Sequence, residues 1–364
     1  MATRPRVVVV GAGFAGLAAA RELSKTHAYE VTVVDPKDYF CYVPAAPVNF
    51  VEGESASGET LAFDYALLAT GSVYASGVKP PADVLLTRTQ RLKQFADIRA
   101  KIDKAASVLI VGGGPVGVEV AAEILHRFPA KKVRLVCAHS TLLDRMDPQA
   151  KEFAAKWLHQ NGVEVVTGMR ISDWGGLTDG NPAAATLTTT KGEKISADLV
   201  FKCVGVRPAT ALYAASLQGP GQLSRSGAIA VEPTLQVVGW QNVFAVGDCN
   251  TVKEEKTAAL AGVAARVAAQ NIVLLDAGKE LQRYPECVMQ MGSNVQAGTA
   301  PARFKAFFGW VFVRMVAGSG FWSWVYRQMV KQWLGMLVKD VRKNGKAAGA
   351  AAAQTANGAA AAPA

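Results

Sequence analysis

Val7-Val8-Val9-Val10-Gly11-Ala12-Gly13-Phe14-Ala15-Gly16-Leu17-Ala18-Ala19-Ala20 decides the fold, because the chain repeats the plan at Val108-Leu109-Ile110-Val111-Gly112-Gly113-Gly114-Pro115-Val116-Gly117-Val118-Glu119-Val120-Ala121-Ala122. Each copy is an aliphatic run, a G-x-G-x-x-G turn and an Ala-rich helix opening. That order turns a weak glycine pattern into a dinucleotide fingerprint. The first glycine makes the tight turn. The second lets backbone approach a pyrophosphate, and the third lets helix and strand pack closely. The helix N-terminus then offers free N–H groups and a positive dipole end to the phosphates.

The ends of the two units match as well. Gly58-Glu59, Asp64 and Gly71 recur as Gly192-Glu193, Asp198 and Gly205, and each Asp precedes an apolar strand. A repeated hairpin turn followed by a core strand accounts for that pattern and still supports duplication. The expected fold class is α/β, with two Rossmann-like dinucleotide-binding domains and a small C-terminal α+β domain. Residues 1–78 and 200–282 are assigned to a discontinuous first domain and 79–199 to the second. Residues 283–343 form the C-terminal domain, and 344–364 form an Ala-rich tail with no periodic core. Gly11 to Gly58 is 47 residues, whereas Gly112 to Gly192 is 80. Copy one is therefore 33 residues shorter, a length that should carry strands and a crossover.

The second strand of such a unit usually ends in an acid that binds ribose hydroxyls. Copy one has Asp35 after Val34, while copy two reads Val136-Cys137-Ala138-His139-Ser140. No carboxylate stands there to reject a 2′-phosphate, and His139 and Arg145 lie nearby. Unit one should take an unphosphorylated adenosine, as in FAD; unit two should accept NADH or NADPH. Glu119 could reach the nicotinamide end or could be a first-turn acid favoured by the helix dipole. The run Asn242-Val243-Phe244-Ala245-Val246-Gly247-Asp248-Cys249 is a short strand ending in Gly-Asp, before a helix expected over Thr257–Leu275. Asp248 there suits flavin ribityl and phosphate groups, or else an N-cap.

These motifs, with Leu260–Ala265 and Met291–Asn294, resemble the two-dinucleotide-binding-domain flavoproteins of the pyridine nucleotide-disulfide oxidoreductase superfamily. Within it the pattern is nearest to the apoptosis-inducing-factor-like ferroptosis-suppressor quinone reductases, over roughly residues 5–335. The resemblance implies FAD held by Gly11, Gly13, Gly16, Asp35, Thr70, Gly71 and Asp248, a set extended to Phe14, Ala15, Lys37 and Gly247. It implies NAD(P)H held by Gly112, Gly114, Gly117 and Glu119, extended to Pro115, His139 and Gly205. Lys256–Leu260 and Met291–Asn294 would line the flavin and quinone pocket. Disulfide reductases of this class carry a redox Cys pair early in the FAD domain, but Cys41 has no close partner. Electrons should therefore pass directly through the flavin, with Glu119 and Lys256 as catalytic candidates. Relatives are longer between Asp35 and Ala69-Thr70-Gly71, so the shortening bears on how tightly FAD is held.

The formal net charge is +10. Between Arg303 and Lys346 nine Lys or Arg face one Asp, so most of the excess sits in that segment. Four of the seven Trp (Trp310, Trp322, Trp324 and Trp333) accompany it. A helix over Phe321–Lys339 would put Trp322, Tyr326, Met329 and Trp333 on one face and Arg327, Lys331 and Lys339 on another. That pattern suits an interfacial helix on anionic lipid, and it also suits packing on the catalytic domains. The positive charge interleaved with aromatics speaks against nucleic acid. The five Cys have no metal-ligand grouping, and no metal is expected. Met1–Arg6 leaves no room for a signal peptide, and Ala2 is not a myristoylation glycine. The expected location is inside the cell, peripheral on the cytoplasmic face of a membrane, with the mitochondrion as an alternative. A small-molecule quinone is the expected acceptor. A ferredoxin- or rubredoxin-like carrier and a non-enzymatic redox-gated binding protein are the alternatives; oligomeric state is left open.

Overall fold

The computed structural model describes residues 3–37, 61–79 and 87–285, apart from positions 145, 147, 214 and 255. The chain runs β1 (Arg6–Val10), α1 (Phe14–Ser24), β2 (Glu30–Val34), β3 (Tyr65–Leu68), β4 (Ser72–Tyr74), α2 (Arg88–Lys104), β5 (Ser107–Val111), α3 (Pro115–Arg127), β6 (Lys132–Val136), α4 (Pro148–Gln160), β7 (Glu164–Val166), β8 (Ile171–Asp173), β9 (Ala183–Thr189), β10 (Lys194–Lys202), β11 (Val206–Pro208), β12 (Val243–Ala245) and α5 (Ala258–Asp276). The α/β class and the two Rossmann-like units stand as expected. One sheet has the order β12-β3-β1-β2 with every pair parallel. The other has the order β7-β6-β5-β10-β9-β8, parallel through β10 and antiparallel beyond it.

Both glycine-turn strands are buried on two faces, which is why they read as unbroken aliphatic runs. Val7 and Val9 pack with Leu67, Phe244 and the α1 and α5 alanines. Val108 and Ile110 pack under α3 and α4, while Leu109 and Val111 meet Leu187, Ile195 and Val200 on the opposite face. Helix α5 sits close to α1 through Ala264, Ala265 and Ala268, all buried. Its N-cap is Thr257, whose hydroxyl accepts from the Leu260 N–H at 3.3 Å.

The duplication is visible in detail. Asp64 accepts the backbone N–H of Arg6 at 2.7 Å, and Asp198 accepts that of Ser107 at 2.8 Å. Each aspartate thus ties the start of a glycine-turn strand to the strand beside it. The shortening is equally plain. Beyond β6 the second unit adds α4 and β7, whereas no described residue pairs the outer edge of β2. Val33 on that edge is 38% exposed.

The boundary expected at residue 199 falls inside β10, which continues to Lys202 in the second sheet. The C-terminal domain beyond residue 285, the tail, Met291–Asn294, Cys41, Cys287 and the basic-aromatic segment lie outside the described residues. Among the described residues no helix is long and apolar enough to cross a membrane, and no group of His, Cys, Asp and Glu could hold a metal.

Candidate functional site

The two glycine turns have the same internal geometry. Gly11 and Gly112 sit at φ +107° and +126°. A Cβ there would stand 2.5 Å from the Ala69 carbonyl oxygen and 2.1 Å from that of Cys203. At Gly16 and Gly117 a Cβ would fall 1.7 and 1.9 Å from the carbonyl oxygens of Gly11 and Gly112. These four glycines are demanded by the protein's own backbone. Gly13 and Gly114 differ, because a Cβ on either would meet nothing within 4 Å. They face open space at the N-caps of α1 and α3, where no side chain caps the helix and no acid lies in the first turn. Phe14 and Ala15, and Pro115 opposite them, open the two helices. Two bare helix N-termini fronted by a glycine fit pyrophosphates.

The ends of the second strands differ. The Gly11 N–H bonds to Val34 O at 2.7 Å and the Gly112 N–H to Val136 O at 2.8 Å, so Asp35 and Cys137 are equivalent positions. Asp35 Oδ2 accepts the Ala12 N–H at 2.6 Å, and Oδ1 accepts both the N–H and the Nζ of Lys37 at 2.9 and 2.6 Å. Cys137 is buried, and a Cβ on Gly113 would stand 2.6 Å from its sulfur. His139 is exposed, its Nδ1 3.2 Å from Asp144 Oδ2.

Both units run into one ribbon. Gly71 leads into β4 and Gly205 into β11, and these strands pair antiparallel, Tyr74 with Val206 and Ser72 with Pro208. Gly205 thus lies level with Ala75, four residues along from Gly71, and at about 3.3 Å per residue the two glycine bends stand roughly 13 Å apart along the ribbon. The Ser72 hydroxyl donates to Asp248 Oδ2 at 2.6 Å, and Lys79 Nζ donates to Ser72 O at 2.8 Å and Oγ at 3.3 Å. Lys79 also lies 4.8 Å over the Tyr74 ring. The Thr70 hydroxyl, one residue before Gly71, is buried. Burial, then the Asp248 charge, and to a smaller degree Glu119, push the Tyr74 phenol up to about 12. Tyr74 thus stands near an acid from each unit.

Glu119 lies in the second turn of α3, not the first, so the dipole-favoured first-turn reading is corrected. Burial, reinforced by Glu123, pushes its carboxyl up to about 7. Asp248 is no helix cap either. It sits in a single turn, Gly247–Cys249, nine residues before Thr257 caps α5. Lys256 Nζ supports that turn from behind, donating to Asn250 Oδ1 at 2.7 Å and Gly247 O at 3.2 Å. Burial lowers its amine, partly offset by Glu254. Glu254 accepts from the Tyr284 hydroxyl at 2.6 Å, and burial raises its carboxyl. Lys79 and Ser72 had gone unnoticed in the sequence, since no motif marks them; the Lys79 signal was only its position shortly after Gly71. Cys137, Cys203 and Cys249 are separate buried thiols, and burial pushes Cys203 up to about 12.

The family model described as pyridine nucleotide-disulphide oxidoreductase matches residues 5–59 and 45–271. Its two matches overlap within the shortened stretch of copy one. Ferroptosis suppressor protein 1 of Xenopus tropicalis is 30% identical, covering 85% of this chain and 91% of that one. That alignment spans 348 positions against 85% of 364 residues, so roughly 40 positions face gaps in this chain. Apoptosis-inducing factor homolog B of Dictyostelium discoideum is 29% identical, over 76% of this chain and 82% of its own. Among solved structures, the covalent putidaredoxin reductase–putidaredoxin complex matches with a TM-score of 0.57, 19% identity and 78% coverage of each chain, a likeness of fold.

Proposed function

The chain belongs to the pyridine nucleotide-disulphide oxidoreductase family, and on that premise we propose that it is an FAD-dependent NAD(P)H:quinone reductase working at a membrane surface. The observation that carries the reading is the pair of open glycine cradles whose units run into a single β-ribbon. Bound FAD supplies the hydride acceptor and the two-electron carrier. The protein supplies placement and charge.

On this reading Gly13 and the α1 N–H groups take the FAD pyrophosphate. A carboxylate has about four acceptor sites, so Asp35 still has room for a ribose hydroxyl while it clamps Ala12. Thr70, Gly71, Gly247 and Asp248 line the path to the ribbon. Gly114 and the α3 N–H groups take the nicotinamide dinucleotide. With Cys137 in place of a carboxylate, nothing at the strand end rejects a 2′-phosphate, so NADH and NADPH both serve, with His139 at the adenosine end. Lys79 and Ser72 hold positive charge and a hydroxyl beside Asp248. Glu119 keeps a proton at its carboxyl until pH passes about 7, which suits an acceptor that takes up protons with its two electrons. The basic-aromatic segment after Arg303 docks on anionic headgroups and brings the site to a lipid-soluble quinone.

The test is the visible spectrum of the purified protein. It should be yellow, bleach with NADH or NADPH under anaerobiosis, and recover with a short-chain ubiquinone. Recovery with ferredoxin alone would favour a protein carrier. A folded, colourless protein that refuses flavin would end the reading. Deleting residues 303–364 should abolish liposome binding; unchanged binding would remove the membrane part.

A further inference from the structure

The largest fully buried side chain among the described residues is charged: Arg91, 0% exposed, in the first turn of α2. A guanidinium leaves water only at high cost unless its donors and its face are satisfied. Here Nη2 donates to Gly77 O at 3.0 Å and Val78 O at 2.6 Å, Nη1 bonds to Gln94 Oε1, and the guanidinium stacks 4.0 Å from the Phe95 ring centroid. Gln94 reaches on to Asn181 Oδ1 at 2.9 Å and Gly180 O at 3.4 Å. Gly180 in turn donates its N–H to Ala75 O at 2.9 Å. Gly77, at φ +80°, has no spare room, since a Cβ there would lie 2.7 Å from Gly180 O. The segment 75–78 is therefore held on both sides, and the next residue is Lys79.

We propose that Arg91 is a positioning residue: it fixes the 75–78 segment so that Lys79 is held on Ser72, and through Ser72 on Asp248, at the dinucleotide site. This rests on the reading that Ser72, Lys79 and Asp248 face FAD. The hydropathy of α2 does not ask for a buried cation at Arg91. Its two carbonyl acceptors both belong to the segment that delivers Lys79. Lysine cannot replace the fork, because a compact ammonium does not span two carbonyls and stack on a ring at once.

Two measurements test this. In flavin-free protein, Arg91→Met should raise amide hydrogen exchange across residues 75–79 at least tenfold, and Arg91→Lys should raise it less. In flavin-loaded protein, Arg91→Met should slow anaerobic bleaching by NADH by about ten- to a hundredfold, with little change in the NADH concentration for half-maximal rate. It should move the flavin midpoint potential in the same direction as Lys79→Met. The double variant should be no slower than Lys79→Met alone, because the two act as one unit. Unchanged exchange at 75–79, or rate losses that multiply, would overturn the proposal. Should Arg91→Met fail to fold, Arg91→Lys is read by the same pair of measurements. A colourless wild type would overturn the flavin reading and this role with it; a yellow wild type whose Arg91 variants keep their rates overturns only the role of Arg91.

Discussion

The two glycine turns are nearly superimposable in their demands and differ in one residue beyond them. After β2 stands a carboxylate, Asp35, holding the Ala12 N–H; after β6, in the same register, stands the buried thiol of Cys137. The pyrophosphate geometry therefore lives in glycines whose Cβ atoms would strike backbone, while the choice of adenosine lives in one strand-end position. The units also differ in length. The second adds α4 and β7 outside β6; the first adds nothing described outside β2. A dinucleotide fold keeps its turn under shortening because the turn is anchored to the central strands.

The largest effect should separate backbone-bound glycines from ligand-facing ones. Gly16→Ala or Gly117→Ala would place a methyl within 2 Å of a carbonyl oxygen and should cost on the order of 3 kcal/mol or more, read by chemical denaturation. Gly13→Ala and Gly114→Ala meet open space and should change stability by under about 0.5 kcal/mol, while weakening flavin and nicotinamide binding respectively. Equal destabilisation by all four would break the division.

Next in size is the strand-end contrast. Cys137→Asp puts a carboxylate where Gly113 can hold it as Ala12 holds Asp35. It should turn the protein toward NADH over NADPH by about tenfold or more in kcat/KM, since each 1.4 kcal/mol is a factor of ten. Cys137→Ser, neutral, should leave the ratio alone. An unchanged ratio in Cys137→Asp would show that selectivity is set elsewhere.

Glu119 gives a smaller effect with a definite sign. Its carboxyl is raised from 4.5 to about 7, so the native state binds more protons than the unfolded chain between those values. Stability should fall as pH rises from about 4.5 to 7, by an amount on the order of 2 kcal/mol. Glu119→Gln should flatten that slope and remove any kinetic transition near pH 7. The smallest effect belongs to the paired caps. Hydrogen bonds from the Arg6 backbone and side chain lower Asp64, and bonds from the Ser107 side chain and backbone lower Asp198. Asp64→Asn and Asp198→Asn should each slightly lower the melting temperature at neutral pH. That loss should vanish as acid protonates the wild-type carboxylates. A marked inequality between the two would mean the copies have diverged at their strand starts.

Much of this was legible in the sequence because it is local. Six glycines at fixed spacing, two aliphatic runs and a missing strand-end acid need no tertiary contact to be recognised, and the shortfall of copy one could be counted. Readings that needed a partner from far along the chain went astray or were missed. Of the two readings open for Glu119, the first-turn acid falls because α3 begins at Pro115. Asp248 looked like a possible N-cap until its partner proved to be Ser72, far away in sequence. Lys79 and Arg91 carried no signal, because no residue pattern marks the backbone carbonyls of Ser72, Gly77 and Val78 that help to hold them.

What the amino-acid order determined by itself was a pair of βαβ units with dinucleotide turns, since steric limits on φ and on Cβ placement act between neighbouring residues. Only the tertiary structure decided that Cys137 answers to Asp35, that β4 and β11 join the two units, and that a buried guanidinium grips the segment before Lys79. Those relations depend on strand register and on which distant groups must satisfy each other once water is excluded. A chain read one residue at a time does not contain that information until it is folded.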